Sequence, residues 1–296
     1  MSLTILVAGA TGRFRPIVPL LLERGHRVRA GTRDRASIAA CELAELGAQL
    51  VVCDFDDPSS IEDAARGADA VFASGTAHRV GPDGEVRHGH NLADPLRGAR
   101  VGHVVYASGA GADHHTGVAV FEAKRQVEEH LLTLRLPLTI LAPVYLMENL
   151  FNPWNLPALE AGVFPSPVPP TRAIQQIPIV DVAAFAVHAL EHRDELLGQR
   201  IELASDSLNA LEEARIVSSA AGRELEVREV GAGGGLRVLF EWLDREGFAV
   251  DIATLRGAFA DVPWHTFSDW AAEQDWETLP SSRGTRPAAR CGPSTA

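Results

Sequence analysis

Short apolar runs alternate with longer amphipathic stretches from the first residues onward. Thr4 to Ala8, Arg27 to Thr32, Gln49 to Cys53, Ala70 to Ser74, Val101 to Ala107 and Leu138 to Leu141 are rich in Val, Leu, Ile and Ala. Most are nearly continuous in apolar residues, as strands of a parallel sheet are when neither face meets water. Between them, Pro16 to Arg24, Ala36 to Leu46, Pro58 to Arg66, Leu92 to Arg100 and Val118 to Leu134 carry the three- and four-residue spacing of helices with one buried stripe. Asp57 ahead of Pro58 marks a helix start, because a carboxylate caps free amides and proline suits the first helical position. The alternation predicts an α/β fold with a doubly wound parallel sheet.

After Pro143 the rhythm breaks. Asn149 to Arg172 is rich in Pro, Asn and Gly and predicts a loop-built region over a site. Beyond it the pattern predicts a helix over Val180 to Glu191, a strand over Arg200 to Ala204, a helix over Leu208 to Ala221 and a strand over Leu225 to Val230. Two helices, Leu236 to Glu246 and Ile252 to Ala260, and a Trp-containing segment, Phe267 to Ala272, follow. The expected organisation is a doubly wound domain over 1–149 and a smaller α/β part over 150–280 that covers its open edge, with 176–205 returning to the core. Residues 281–296, made of Ser, Gly, Pro and Arg without apolar period, are expected to be a disordered tail.

Composition narrows the functional classes. The chain has 296 residues with 27 Lys+Arg against 39 Asp+Glu, a net charge of −12. That balance argues against nucleic acid as a partner, since phosphate binding needs clustered cations. The 3 cysteines, Cys41, Cys53 and Cys291, have no metal-like spacing, and no metal site or disulfide framework is expected. The start, MSLTILVAGATG, lacks the basic region of a signal peptide, and no apolar run approaches the roughly 18 residues of a membrane span. A cytoplasmic protein without membrane contact is the expectation. The pattern admits a homodimer and fixes no oligomeric state.

Candidate chemistry gathers at the strand ends. Gly9-Ala10-Thr11-Gly12-Arg13 follows the first predicted strand and precedes the first helix. Glycines there make a tight turn and let backbone approach a pyrophosphate at the positive end of a helix. The third glycine of such a motif is absent, and Arg15 stands at its place. Arg33 lies 21 residues beyond Gly12, at the end of the second strand. A guanidinium there can pair with the 2′-phosphate of NADP, with Arg13 and Arg35 in support. Asp54-Phe55 ends the third strand, where a carboxylate can accept from an adenine amino group.

GATG, TRD, DFDDPSSIEDAARGADAVF, HVVYASGAGA, FEAK, LTILAPVYLMENL, IPIVDVAAFAVHAL, GQRIELASD and FEWLDREGFAVDIATLR, in that order over about residues 3 to 276, resemble the NmrA-like atypical short-chain dehydrogenases/reductases. The resemblance implies a Rossmann fold, usually with NADP(H). It also implies one of two activities: reduction of quinones, aromatics or isoflavones, or nucleotide sensing without catalysis. Carried over by position, Gly9, Thr11 and Gly12 would cradle the pyrophosphate and Arg33 the 2′-phosphate. Ser74-Gly75-Thr76 and Ser108-Gly109 would flank the cofactor, Lys124 would touch the nicotinamide ribose, and Pro143-Val144-Tyr145 would lie beside the nicotinamide. Met147 and Asn149 would begin the substrate region. The tyrosine that donates a proton four residues before the lysine is replaced by Val120, so an acid would come from Tyr145, His114 or His115. The glycine loop fits either with Arg15 substituting the third glycine or with one residue deleted.

These residues point to an NADPH-dependent oxidoreductase acting on a small planar carbonyl, quinone or enone, with Lys124, Tyr145, Ser108 and His115 as catalytic candidates. Two rivals remain: a sensor of NADP(H) or a metabolite, motivated by Val120, and a non-redox tailoring protein, motivated by the altered loop. His88 and His90 lack a partner at ligand spacing. Trp154 is the tryptophan placed to face a ligand.

Overall fold

β1 (Thr4–Ala8) is the axis of the molecule, with all of its side chains buried. In this computed structural model, which describes residues 2–231, 233 and 235–277, Ile5 and Val7 pack into one apolar cluster and Leu6 and Ala8 into another. The alternation of side chains along the strand thus feeds two cores, one on each face of the sheet. The tail expected over 281–296 lies outside the described residues.

The predicted strands all form: β2 (Arg27–Thr32), β3 (Gln49–Val52), β4 (Ala70–Ser74), β5 (His103–Ala107) and β6 (Leu138–Pro143). With β10 (Arg200–Leu203), the strand read from Arg200 to Ala204, they make a 7-stranded sheet in the order β10-β6-β5-β4-β1-β2-β3. Every neighbouring pair is parallel. Each connection therefore needs a crossover, supplied by α1 (Ile17–Glu23), α2 (Ile38–Glu45), α3 (Pro58–Ala65), α4 (Ala77–Gly98) and α5 (Ala119–Thr133), and by α7 (Ile179–Glu191) before β10. Asp57 does cap α3, accepting from the Ser59 amide with Pro58 behind it. The order of winding reverses between β1 and β4, and the cleft that such a switch opens lies over the carboxyl ends of the strands.

Two stretches differ from the sequence reading. α4 starts at Ala77 rather than Leu92, with a kink at Gly81 (φ 72°, ψ 178°). Gly81, Pro82, Gly84 and Gly89 erase the periodic signal there, yet Leu92, Ala93 and Leu96 anchor the helix in the core. The region from Asn149 to Arg172 is more ordered than predicted. After β7 (Tyr145–Leu146) come a 3-10 turn over Met147–Phe151, α6 (Leu156–Glu160) and β8 (Val163–Ser166).

The rest of the C-terminal part builds on short strands. β9 (Ile174–Ile177) lies between β7 and β11 (Asp206–Leu208), while β12 (Glu226–Glu229) pairs with β8. α8 (Arg193–Leu196), α9 (Ala210–Ala221), α10 (Gly235–Arg245), α11 (Ile252–Ala258) and α12 (Phe267–Ala272) complete the order. Two further clusters form here, one around Phe164, Val217 and Trp270 and one around Phe121, Phe240 and Trp242.

Candidate functional site

Three cavities run from the strand ends into the C-terminal part. The first, about 460 Å³, opens over the carboxyl ends of β1 to β4 and is lined by Gly9, Thr11, Gly12, Arg13, Arg33, Asp54, Phe55, Ser74, Gly75 and Thr76. Much of this wall is therefore legible in the sequence. Gly9 has φ +74°, a left-handed turn that a side chain resists, and a Cβ on Gly12 would stand 3.0 Å from the Gly9 carbonyl. The turn closes through the Gly12 amide donating to the Gly9 carbonyl, 2.9 Å. The amides of Thr11, Arg13 and Phe14 find no acceptor among the described residues. Such amides at a βα turn suit an anion.

The four basic residues near the glycine turn do different things. Arg33, exposed, lies at the cavity wall. Arg15, at the place of the third glycine, pairs with Glu42 of α2 at 2.5 Å on the surface and so leaves the turn itself clear. Arg13 reaches Asn149 Oδ1 at 2.9 Å and Asn152 Oδ1 at 3.4 Å, tying the glycine turn to the C-terminal part. Burial lowers its pKa, with Glu148 and Tyr145 opposing. Arg35 is not part of the wall. At the other side, the Asp54 carboxylate accepts from the Asp56 amide at 3.1 Å, and Phe55 packs against Gly9. His88 bonds Thr76 Oγ1 at 2.9 Å and Asp56 at 3.0 Å, fixing the loop between β4 and α4.

The second cavity, about 210 Å³, shares Arg13, Phe14, Gly75 and His78 with the first and adds Ser108, Val120, Lys124, Pro143 and Tyr145. Lys124 Nζ donates to the buried Glu85 Oε1 at 3.3 Å. Burial raises the Glu85 pKa, but the Lys124 charge and the Thr76 amide outweigh it and hold the carboxyl below its ordinary value. A Cβ on Gly75 would fall 1.9 Å from Glu85 Oε1 and 2.7 Å from Lys124 Nζ, so this glycine makes the pair possible. Ser108 Oγ donates to Glu128, which also receives Arg200 at 3.0 Å. Its hydroxyl proton is therefore committed to a buried acid. Burial and the Glu213 charge push the Tyr145 phenol well above its ordinary pKa. His78, between the two cavities, is held below its ordinary value by burial and the charge of Arg13. His114 and His115 stand outside on an exposed loop, beside Asp113 and Glu122.

The third cavity, about 410 Å³, shares Tyr145 with the second and lies inside the C-terminal part. Met147, Leu150, Trp154, Phe164, Phe240 and Phe267 give it apolar walls, and Asn155, Ser166, Arg172, Gln176 and Glu213 its polar ones. Asn149 belongs to the second cavity rather than this one.

The model of one family, described as NmrA-like, matches residues 1–239. The chain belongs to the NmrA-like family. Among curated relatives, the NmrA-like family domain-containing oxidoreductase ptmS of Penicillium ochrochloron is 32% identical over 204 residues, 60% of each chain. The segment matched in the curated relatives spans about three-fifths of their length. The fold is that of the solved NADPH-dependent quinone oxidoreductase QOR2 of Escherichia coli complexed with NADPH. TM-score is 0.76 at 20% identity, covering 90% of this chain and 98% of that one. A second NmrA-like neighbour is the negative transcriptional regulator NmrA in complex with NAD, TM-score 0.75 at 20% identity, covering 94% and 96%.

Several residues in or behind the cavity walls of this NmrA-like chain are not legible in the sequence. His78 and Arg79 follow β4 directly, and their position just after a strand end was the available signal. Glu85, Glu128 and Arg200 come from two helices and the last strand of the sheet, and only the three-dimensional fold brings them to Lys124 and Ser108. Gln176 and Glu213 sit in alternating or amphipathic stretches where polar residues read as solvent-facing. Among the described residues no cluster of three or more His, Cys, Asp or Glu could hold a metal, and no helix is long and apolar enough to cross a membrane.

Proposed function

We propose that this protein binds NADP(H) over the strand ends and uses it to reduce a small planar carbonyl, quinone or enone held in the C-terminal cavity. One observation carries the reading: the Lys124 cavity shares walls with both the glycine-turn cleft and the apolar cavity. A cofactor and an acceptor bound in those two spaces would meet at Lys124 and Tyr145. The residues fit a dinucleotide, because the turn leaves room at Gly9 and Gly12, the amides of Thr11, Arg13 and Phe14 have no acceptor among the described residues, and Arg33 is available to a 2′-phosphate. NADPH, when bound, supplies a hydride.

The chain's own groups would do the rest. Lys124, fixed by Glu85, would hydrogen-bond a ribose hydroxyl and orient the sugar. Leu239 and Phe248, from the C-terminal part, line the second cavity and would exclude water from it. Tyr145 keeps its proton across the physiological range and so would act as a hydrogen-bond donor to an acceptor oxygen, in the place where Val120 offers no phenol. Ser108 and His115 would contribute less, one through Glu128 and the other not at all from its exposed loop. We take 1–149 as the cofactor-binding domain and 150–280 as the substrate-covering part. The net charge of −12 supports a small-molecule partner over nucleic acid, and the proposed setting is the cytoplasm.

Calorimetric titration with NADPH and NADH, then NADPH oxidation across a panel of quinones and enones, tests the reading. Saturable NADPH binding with turnover is expected; no binding removes the proposal. Val120 favours a second reading, a nucleotide sensor, which predicts binding without turnover of any compound in the panel.

A further inference from the structure

Polar groups are few in the third cavity, and one pair among them is built differently from the rest. Glu213, on the first turns of α9, receives the Gln176 side-chain amide on Oε1. Gln176 comes from β9, is buried, and is fixed in turn by the Ser205 amide donating to its backbone carbonyl at 2.9 Å. Only one carboxyl oxygen is thereby occupied, and the other is left for whatever fills the cavity. Apolar side chains surround the pair: Phe164, Ala210 and Phe267 among them.

We propose that the Glu213 carboxyl, anchored by Gln176, is the hydrogen-bond donor that selects the substrate, so that this cavity takes an uncharged, largely apolar aromatic molecule with an oxygen acceptor and rejects anions. The proposal rests on the reading of this cavity as the substrate space.

A carboxyl donates only while protonated, and the surroundings favour that form. Burial raises the Glu213 pKa to about 8, and the charges of Asp206 and Glu212 add to the rise against the Gln176 bond. Asp206, on β11, accepts from the Phe267 amide, and Glu212, on α9 itself, is engaged in its capping box. From α12, Asp269 caps its own helix through Thr266. On β12, Glu226 pairs with Arg228 while Glu229 is exposed, and β8 offers no titratable side chain. Within the cavity, Tyr145 is protonated and Arg172 is held by the carbonyls of Leu243 and Glu246. No cation is bonded to Glu213 among the described residues. A carboxylic acid kept neutral by an apolar site is a hydrogen-bond donor at neutral pH, and an anionic ligand beside it would also meet the charge of Asp206.

The test compares two probes of one shape, 2-acetonaphthone and 2-naphthoate, by calorimetry on the full chain without nucleotide. The ketone is expected to bind about tenfold tighter than the anion at pH 6.5 and to lose about fivefold or more between pH 6.5 and pH 9. Glu213→Gln, which keeps a donor that cannot ionise, should hold ketone affinity within about threefold and abolish its pH dependence. Glu213→Leu should weaken the ketone about threefold to tenfold, with the melting transition reporting that the fold is intact. An unchanged pH profile in Glu213→Gln, equal or tighter binding of 2-naphthoate, or no ketone binding at all would overturn the proposal. NADPH titrations on the same variants separate the two readings. Normal NADPH binding beside an indifferent Glu213 defeats this inference alone, and absent NADPH binding beside a lost pH profile defeats only the redox reading.

Discussion

Arg33 and Gly75 show how much one position can carry. Arg33 was readable from the sequence because its distance from the glycine turn fixes it at the end of β2, and it does line the cleft. Its removal is predicted to discriminate between cofactors. Arg33→Ala should weaken NADPH by about 10- to 100-fold, the range of a charge-assisted contact, and NADH by less than about threefold. Parallel calorimetric titrations check this, and equal losses for both would deny Arg33 its role. Gly75 was readable as a strand-end residue, but its purpose was not, because Glu85 arrives from a helix that has no sequence signal at its start. A Cβ at Gly75 would collide with both members of the Glu85–Lys124 pair. Gly75→Ala is therefore expected to lower stability by about 1–3 kcal/mol through overpacking. If Lys124 orients the cofactor, turnover should fall further than the stability loss explains, measured as kcat well below the melting midpoint.

At the scale of elements, the strands and most helices were legible while α4 and the region over the C-terminal cavity were not. Four strands of the first half, β1, β4, β5 and β6, are apolar and buried nearly throughout, and a strand buried on both faces leaves no alternative pattern. α4 was hidden because its first turns hold glycine and proline at positions that ordinarily end a helix. Tertiary contacts override that preference: His88 bonds Thr76 and Asp56, while Leu92, Ala93 and Leu96 fill the core beside β5. The kink at Gly81 has φ 72° and ψ 178°, a conformation that a side chain strains. Gly81→Ala is predicted to cost about 1–3 kcal/mol and to lower the melting temperature by about 2–10 °C. Because His78 and Arg79 precede the kink and line the cleft, nucleotide affinity should fall in the same variant. A Gly81→Ala protein that melts and binds like the wild type would mean that the bend is not held by the fold. The stretch from Asn149 to Arg172 failed for a related reason: its 3-10 turn, short helix and short strand are each too brief to show a period. Arg13, bonded to Asn149 and Asn152, is what fixes this region to the glycine turn.

On the scale of the whole molecule, buried ionisable groups set how stability responds to pH, and two of them give opposite limbs. Glu213 rises from its ordinary 4.5 to about 8, through burial first and then Asp206 and Glu212. Between those values the unfolded chain has lost the proton that the folded chain retains, so stability falls as pH rises through the window. His103, nearly fully buried and bonded through Nε2 to Thr139 at 2.9 Å, is lowered from 6.5 to about 4, through burial and then Arg193. Between those values the unfolded chain has gained a proton that the folded chain refuses, so stability falls as pH drops. From 4.5 to 6.5 the two slopes oppose each other and nearly cancel. Other groups reinforce each side. Burial raises Glu148 and Asp181, adding to the alkaline loss, and lowers His78 and His188, adding to the acid loss. Thermal melting is therefore expected to show a broad optimum near pH 4.5 to 6.5. From there to pH 8 it should decline by about 2–4 °C per pH unit, the slope of one proton. Glu213→Gln should flatten the alkaline limb and His103→Gln the acid one, each leaving the other in place. A single variant that moved both limbs would show that the α9 and β5 sites titrate as one unit, and the separate assignments would then be wrong.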